Sequence, residues 1–148
     1  AGLLAGATAV AAGWRLLAVA VSRPREEIEA RVRELAAGCA VLCGTPEPEP
    51  SRLEVVDARG PGFGVASARD RAAAEFALHT EGLLLDDTYG AKAFAVALDR
   101  LRGGEPGPVL YWHTGGVSSA LHHLVPEPVR IPSPAAPGDP AATEGACR

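Results

Sequence analysis

The stretch at 109–116, Val-Leu-Tyr-Trp-His-Thr-Gly-Gly, places several groups that can do chemistry at the end of an apolar run. The large apolar residues at 109–112 predict a strand that is buried on both faces. The two glycines let the backbone turn sharply and come close to a flat ligand. Because ligands of open α/β sheets sit just beyond the carboxyl ends of the strands, Thr114 is predicted to meet the polar edge of a ligand. Gly115 and Gly116 are predicted to allow its close approach.

Further candidate groups lie upstream. Tyr89 precedes Gly90 at the predicted start of a helix, and Lys92 is the only lysine of the chain. A catalytic amine needs desolvation or a cationic neighbour, and nothing near Lys92 in the sequence offers either. Lys92 is therefore predicted to be solvated or to neutralise a phosphate rather than to act as a nucleophile. The glycine-rich run at 60–64 predicts a loop, but it lacks the G-x-G-x-x-G spacing of a dinucleotide site.

No metal site is predicted. Cys39 and Cys43 lie one helical turn apart, and His122 could join them only from elsewhere in the chain. This spacing is not that of a zinc knuckle, so the cysteines are predicted to be buried structural thiols. The adjacent carboxylates of Asp86 and Asp87 precede a helix, where a capping role is favoured over metal binding.

The elements that must position these groups alternate between strand and helix. Apolar runs predict strands at Leu16–Val21, Leu53–Val56 and 109–112. Helical spacing predicts helices at 1–13, from Pro24 to Gly44, from a capping box at Ser67 and Asp70 to about Thr80, from Asp87 or Thr88 to about Arg102, and at Val117–Leu124. The predicted core face of the second of these helices comprises Ile28, Val32, Leu35, Cys39 and Leu42, and that of the fourth comprises Phe94, Ala97, Leu98 and Leu101. The alternation predicts a three-layer α/β fold, in which a mostly parallel sheet carries helices on both faces.

Composition narrows the class of protein. The 148 residues predict one domain, and the net charge of −4 gives no basic surface for nucleic acid. Three cysteines, one of them in the tail, favour reduced thiols in the cytoplasm over a disulfide framework. The opening apolar stretch is too short to span a membrane. Residues 126–148 are rich in Pro and Ala and predict a disordered tail, and the lack of any Met predicts a fragment or a processed chain.

Four stretches carry a resemblance to a known family, in the expected order and near the expected spacing. They are Gly60-Pro61-Gly62-Phe63-Gly64, Thr80-Glu81-Gly82-Leu83-Leu84-Leu85-Asp86, Tyr89-Gly90-Ala91-Lys92-Ala93 and His113-Thr114-Gly115-Gly116. Residues 1–125 thereby resemble the carboxy-terminal part of the D-cysteine desulfhydrase and 1-aminocyclopropane-1-carboxylate (ACC) deaminase family. The family consists of pyridoxal phosphate enzymes of the tryptophan synthase β-like fold.

The resemblance implies roles for individual residues. Thr114 corresponds to the hydroxyl that meets the pyridine nitrogen of pyridoxal phosphate, with Gly115 and Gly116 beside the cofactor. Tyr89 corresponds to a catalytic tyrosine at the substrate edge, and Phe63 occupies a pocket position that is often tyrosine. The segment from Ala1 resembles the helix that follows the family's phosphate loop. The family's Schiff-base lysine lies in a segment with no counterpart here, and Lys92 corresponds to a different, non-catalytic lysine.

The resemblance predicts a portion of a lyase or deaminase that acts on a small amino acid, by β-elimination of a thiol or by deamination. The isolated chain is expected to be inactive, and its full-length parent is expected to form a homodimer. Gly90 stands where family members carry Thr or Glu, which favours the desulfhydrase branch. Two alternatives stay open: an α/β module that binds NAD or ATP, and a non-catalytic remnant.

Overall fold

A computed structural model describes residues 1–104 and 106–124 of the chain, with the backbone alone for 122–124. Its elements, in chain order, are α1 (Gly2–Ala9), β1 (Leu16–Ala20), α2 (Arg25–Cys43), a 3-10 turn (Pro50–Arg52), β2 (Leu53–Asp57), α3 (Ala68–Glu81), α4 (Gly90–Arg102) and α5 (Val117–Leu124). The first two predicted strands and the predicted helices are therefore confirmed, although α1 ends four residues earlier than expected and Pro24 is the N-cap of α2 rather than part of it.

The sheet is parallel, and its two strands carry helices on opposite faces. β1 and β2 pair from Leu16 opposite Leu53 to Ala20 opposite Asp57. Side chains alternate along a strand, so one face of each strand points to α1 and α2, where Ala20 and Val55 join a buried cluster. On the other face, Glu54 of β2 forms an ion pair with Arg100 of α4. The predicted α/β architecture with a parallel sheet between helices is confirmed.

Small residues, rather than the predicted large ones, form the buried side of α2. Ile28 and Val32 pack against the core as predicted, but the residues buried next along the helix are Ala36 and Ala40. Leu42, which was expected on this face, is 89% exposed. Because one helical turn takes 3.6 residues, successive steps of four move the buried row gradually round the helix to Ala36 and Ala40. The small alanine side chains allow the helix to approach its neighbours closely.

Helices α3 and α4 pack together as a second layer. The predicted capping box is confirmed: the Ser67 hydroxyl accepts from the Asp70 amide, and the Asp70 carboxylate accepts from the Ser67 amide. In α4, the predicted core face of Phe94, Ala97, Leu98 and Leu101 is confirmed only at Phe94, which packs against a buried cluster, whereas Leu101 is exposed. The fully buried positions are Gly90, Ala91, Lys92, Ala95 and Val96. A close helix pair favours small side chains at its contact, so the larger ones lie at the margins.

The predicted strand at 109–112 is wrong. Within the described residues, only β1 and β2 form the sheet, and 109–116 runs without regular structure. Leu110 is 82% exposed and Trp112 is 61% exposed, whereas Tyr111 and His113 are half-buried. The segment is covered on one side only, because Tyr111 packs on Phe94 of α4. A short apolar run does not reveal whether one or both of its sides will be covered.

Within 1–104 and 106–124, no helix combines the length and the apolar character that crossing a bilayer requires. The predicted disordered tail at 126–148 lies outside the described residues, as does the third cysteine, Cys147.

Candidate functional site

A cavity of about 320 Å³ opens at the carboxyl ends of the two strands. Because β1 and β2 are parallel, the residues that follow both strands meet at the same edge of the sheet. Its lining consists of Val21, Ser22, Asp57, Arg59, Gly60, Gly62 and Phe63. This is the location at which open α/β sheets place small ligands, although the residues of its β1 side were not singled out from the sequence.

A paired charge forms part of the cavity wall. Nε of Arg59 lies 3.0 Å from each carboxylate oxygen of Asp57, and Nη2 donates to Oδ2 at 2.6 Å. The hydrogen bonds from the Arg59 side chain lower the pKa of Asp57 below its ordinary value. The same partner raises the pKa of Arg59. Both groups are therefore charged at neutral pH, and each balances the other.

Two of the predicted pocket residues are in contact, and one of them, Phe63, lines this cavity. The ring of Phe63 meets the ring of Tyr89 edge-on, with centroids 5.9 Å apart and planes at 76°. Phe63 is 60% exposed and Tyr89 is 55% exposed, so their free surfaces face solvent. An aromatic wall of this kind is suited to a flat or apolar ligand group.

Asp86 caps α4 and thereby positions Tyr89. Its Oδ2 accepts from the amides of Thr88 and Tyr89 at 3.0 and 2.9 Å, and its Oδ1 accepts from Gly90 at 2.9 Å. The carboxylate is almost wholly buried, and it also faces the positive end of the helix dipole. The capping interpretation of this acidic pair is therefore right, but Asp86 performs the role instead of Asp87 or Thr88.

The predicted cofactor contacts approach the same carboxylate. An ideal Cβ on Gly116 would overlap Oδ1 of Asp86 and lie 2.9 Å from its Cγ, so Gly116 packs directly against the cap. An ideal Cβ on Gly115 would meet nothing within 4 Å, and Thr114 is exposed. Asp86 thus lies between the Thr114–Gly116 turn and the backbone of Tyr89. The backbone does make a close approach at Gly116, as predicted, but its contact there is the Asp86 side chain rather than a ligand.

Tyr111 and His113 extend this region and were not predicted as site residues. The Tyr111 hydroxyl donates to the carbonyl of Gly90 at 3.3 Å, and its ring packs edge-on against Phe94 with centroids 5.2 Å apart. Burial raises the pKa of Tyr111, and the Asp86 carboxylate adds to that increase. The ring centroids of His113 and Tyr111 are 6.0 Å apart. The buried Nε2 of His113 has no hydrogen-bond partner among the described residues. The sequence signal that could have indicated both residues is their spacing, since Tyr111 and His113 lie two positions apart in the apolar run and both carry polar groups.

Lys92 is buried, which contradicts the prediction that it is solvated or neutralises a phosphate. Its exposure is 0%, and its Nζ donates to the carbonyls of Arg59 and Gly62 at 2.6 and 2.7 Å. Both acceptors lie about thirty positions earlier in the chain, so the sequence around Lys92 does not predict these hydrogen bonds. The ammonium is desolvated but bonded to the loop that lines the cavity.

No metal site was predicted. In the part of the chain that the structure describes, no group of three or more His, Cys, Asp or Glu is arranged to hold an ion. Cys39 and Cys43 are free thiols, but Cys39 is half-buried and Cys43 is exposed. The prediction that both are buried is wrong, because α2 turns that side away from the sheet. The side chain of His122 lies outside the described residues.

Comparisons with known proteins show similarity to two groups of named relatives. It matches no protein-family profile. A D-cysteine desulfhydrase of Yersinia pestis (strain Pestoides F) is 31% identical over 120 residues, which is 78% of this chain and 36% of that protein. A Pyrococcus abyssi protein, provisionally named 1-aminocyclopropane-1-carboxylate deaminase, is 33% identical over 129 residues, 83% of this chain and 37% of that protein.

A solved structure agrees with these relatives. The crystal structure of an ACC deaminase homologue superposes with a TM-score of 0.74 at 29% identity, covering 82% of this chain and 37% of the other. The present chain therefore spans little more than a third of the length of the proteins it matches. The resemblance stated from four sequence stretches is confirmed, and the nucleotide-binding alternative gains no support.

Proposed function

This chain is a homologue of the D-cysteine desulfhydrase and ACC deaminase family, and on that premise we propose that it forms part of a pyridoxal phosphate site for a small amino acid. The observation that carries the proposal is the cavity at the carboxyl edge of the sheet, with Phe63 in its lining and Tyr89 in contact with Phe63. The reactions that the relatives' names indicate are β-elimination of a thiol from D-cysteine and deamination.

The residues present fit pyridoxal phosphate. The exposed rings of Phe63 and Tyr89 offer an aromatic surface, and the exposed Thr114 hydroxyl is free to meet a polar edge. The space beside Gly115 is open. The fit does not extend to Gly116, whose packing against Asp86 already accounts for the missing side chain. When bound, pyridoxal phosphate supplies an electron sink for the carbanion that forms on a substrate amino acid.

Thr114 is the residue that we assign to the cofactor's ring nitrogen. A neutral hydroxyl hydrogen-bonds to that nitrogen without the charge of a carboxylate, so it supports a milder electron sink. Gly115 leaves room next to it, since nothing lies within 4 Å of its ideal Cβ. The positioning of this turn is secured at Gly116, by contact with the capping carboxylate of Asp86.

Tyr89 is the residue that we assign to proton transfer at the substrate, through its phenolic oxygen. Its backbone is held by Asp86, and its ring is held by Phe63. A tyrosine with fixed backbone and ring can present its hydroxyl at one place, which is what general acid–base catalysis requires. Phe63 contributes the apolar wall of the substrate pocket.

The chain alone is proposed to be inactive. Its only lysine is Lys92, whose Nζ is buried and bonded to two carbonyls. Covalent attachment of pyridoxal phosphate needs an accessible amine, and Lys92 does not offer one. We further propose, from the family resemblance, a homodimer for the complete enzyme. The free thiols of Cys39 and Cys43 suit the reducing cytoplasm, which is the compartment we propose.

The test is a titration of the purified chain with pyridoxal phosphate, followed by absorbance and by the quenching of tryptophan fluorescence. Saturable binding is expected. Thr114→Val is expected to weaken the binding about tenfold, because it removes one hydrogen bond to the ligand. Thr80→Val, which removes a hydroxyl that bonds within α3, is the control and should bind as the parent does. Equal affinity for both variants would contradict the role of Thr114.

Turnover is tested separately with D-cysteine in the presence of pyridoxal phosphate. No release of sulfide is expected from the chain alone, and no borohydride-stable adduct is expected on Lys92. An adduct on Lys92 together with sulfide release would overturn the proposal that the chain is inactive.

A further inference from the structure

Lys92 has an unusual environment for a lysine. Among the described residues it is the largest side chain that is fully buried, and it lies on the first turn of α4, three positions beyond Tyr89. A buried ammonium is costly unless its donors are satisfied. Here Nζ donates to the carbonyl oxygens of Arg59 and Gly62 at 2.6 and 2.7 Å. The lysine therefore ties the start of α4 to the loop that follows β2.

The segment tied by Lys92 is the wall of the cavity. The cavity lining includes Arg59, Gly60, Gly62 and Phe63, and the two carbonyls that Lys92 holds bracket the turn between them. Gly60 and Gly62 adopt φ values of 57° and 153°, and the turn has two backbone hydrogen bonds of its own, from the Gly62 amide to the Arg59 carbonyl and from the Val65 amide to the Gly62 carbonyl. The hydrogen bonds from Lys92 add to these and connect the turn to α4.

The same helix touches this loop a second time. Tyr89, at the N-cap of α4, meets the ring of Phe63 immediately after the segment that Lys92 holds. The start of α4 therefore contacts the loop twice, through hydrogen bonds to the loop backbone and through the Phe63 ring. If the hydrogen bonds from Lys92 were lost, the position of Phe63 relative to Tyr89 would depend on the ring contact and on the internal hydrogen bonds of the turn.

A buried carboxylate also lies near this turn. An ideal Cβ on Gly60 would lie 3.9 Å from Oδ2 of Asp70 and 4.0 Å from Nζ of Lys92, so both charged groups approach Gly60. Asp70 is itself almost fully buried and is held in the capping box of α3. Opposite charges near the same turn offset part of the cost of burying each of them.

We propose that Lys92 is a positioning residue, whose buried ammonium holds the carbonyls of Arg59 and Gly62 and so sets the geometry of the cavity wall and of the Phe63–Tyr89 contact. The consequence for ligand binding rests on the proposed function, whereas the grip on the loop does not. Lys92 acts through the loop and is not itself a nucleophile.

The first experiment measures the reactivity of Lys92 in the unaltered chain. Because no other lysine is present, acylation by an amine-specific reagent reports this side chain and the terminal amine only, and mass spectrometry separates the two. In the folded chain, Lys92 is expected to react at least about tenfold more slowly than in urea, where it is exposed. Equal rates in the two conditions would overturn the proposal without any variant being made.

The second experiment asks what the ammonium holds. Lys92→Met keeps a long apolar side chain and removes the donors, so the bond after Arg59 is expected to become about tenfold more sensitive to trypsin, with faster hydrogen exchange at 59–64. Lys92→Arg keeps donors and charge and is expected to restore part of the protection. Ala36→Gly, in the core on the other face of the sheet, is the control for general destabilisation.

The outcomes distinguish a local effect of Lys92 on the loop from a general loss of folding stability. Selective cleavage after Arg59 in Lys92→Met, but not in Ala36→Gly, supports the proposal. Equal loss of protection in both variants, or unchanged protection in Lys92→Met, overturns it. If Lys92→Met does not fold, the acylation rates of the unaltered chain decide the question.

Binding of pyridoxal phosphate connects the grip to the proposed function. If the unaltered chain binds the compound, Lys92→Met is expected to bind it about tenfold more weakly and Lys92→Arg to recover part of that loss, while Ala36→Gly binds normally. Affinity unchanged in Lys92→Met overturns the link between the loop and the ligand. If the unaltered chain does not bind, the proposed function fails, but the acylation and trypsin results still judge the role of Lys92.

Discussion

Replacing Gly116 with Ala tests the contact that joins the Thr114–Gly116 turn to the start of α4. An added Cβ would overlap Oδ1 of Asp86 and lie 2.9 Å from its Cγ. Asp86 is not free to retreat, because its two oxygens accept the three amides that begin the helix. The backbone of Gly116 also has a φ of 96°, where L side chains are strained.

The expected loss of stability has two parts. The backbone strain costs about 1–3 kcal/mol. The overlap is relieved either by strained packing, which costs about 1–3 kcal/mol, or by loss of the cap, which costs about 0.5–2 kcal/mol. Gly116→Ala should therefore destabilise the chain by about 1.5–6 kcal/mol, the range that the two parts span together. Gly115→Ala shares the backbone strain at a φ of 136° but meets no atom within 4 Å, so it is the matched control.

Urea unfolding, followed by circular dichroism, measures the free energy of unfolding of each variant. Gly116→Ala is expected to lose about 0.5–3 kcal/mol more than Gly115→Ala, which is the cost of relieving the overlap. In an Asp86→Ala background the overlap is absent, so adding Gly116→Ala should cost no more than Gly115→Ala does, and the double-mutant cycle isolates the contact. If Gly116→Ala is no more harmful than Gly115→Ala, or if its cost is the same with and without Asp86, the reasoning from the overlap is refuted.

Two further predictions concern titration. Burial, with the Asp86 carboxylate adding to it, raises the pKa of Tyr111 above 10, so ultraviolet absorbance at 295 nm should show a late phenolate that Tyr111→Phe removes. The stability that neutral Tyr111 supports is fully present below pH 10 and falls as pH rises beyond it; a phenolate appearing at the ordinary pH in the folded chain would contradict this. Arg59 lowers the pKa of Asp57 below 3.8, so the stability from this pair is present at neutral pH and is lost as pH falls through that lowered value. Between pH 7 and pH 3 the parent should therefore lose more stability than Asp57→Asn, and parallel urea midpoints would contradict the assignment.

Elements defined by neighbouring residues were predictable. The capping box of Ser67 and Asp70 joins residues three positions apart, and Gly82 ends α3 in the left-handed conformation that favours glycine. The strands β1 and β2 were visible as short apolar runs, and their alternation with helices indicated the parallel sheet. Each of these signals comes from backbone and side-chain preferences that act within a few residues.

The site was only partly predictable. Phe63 and Tyr89 were named from a family resemblance, and their contact across 26 positions depends on how α4 packs. The cavity between the strand ends required the register of β1 and β2. Lys92 was misjudged because its acceptors lie in a distant loop, and a sequence does not state which surface will cover a side chain.

By itself, the order of residues determined the kind of fold, the helix boundaries near their caps, and the family to which the chain is related. Tertiary structure alone decided that Asp86 rather than Asp87 caps α4, that Gly116 is required by that cap, and that the single lysine is enclosed. The physical reason is the range of the interactions. Propensity and capping act between near neighbours, whereas burial and charge compensation depend on segments that only packing brings together.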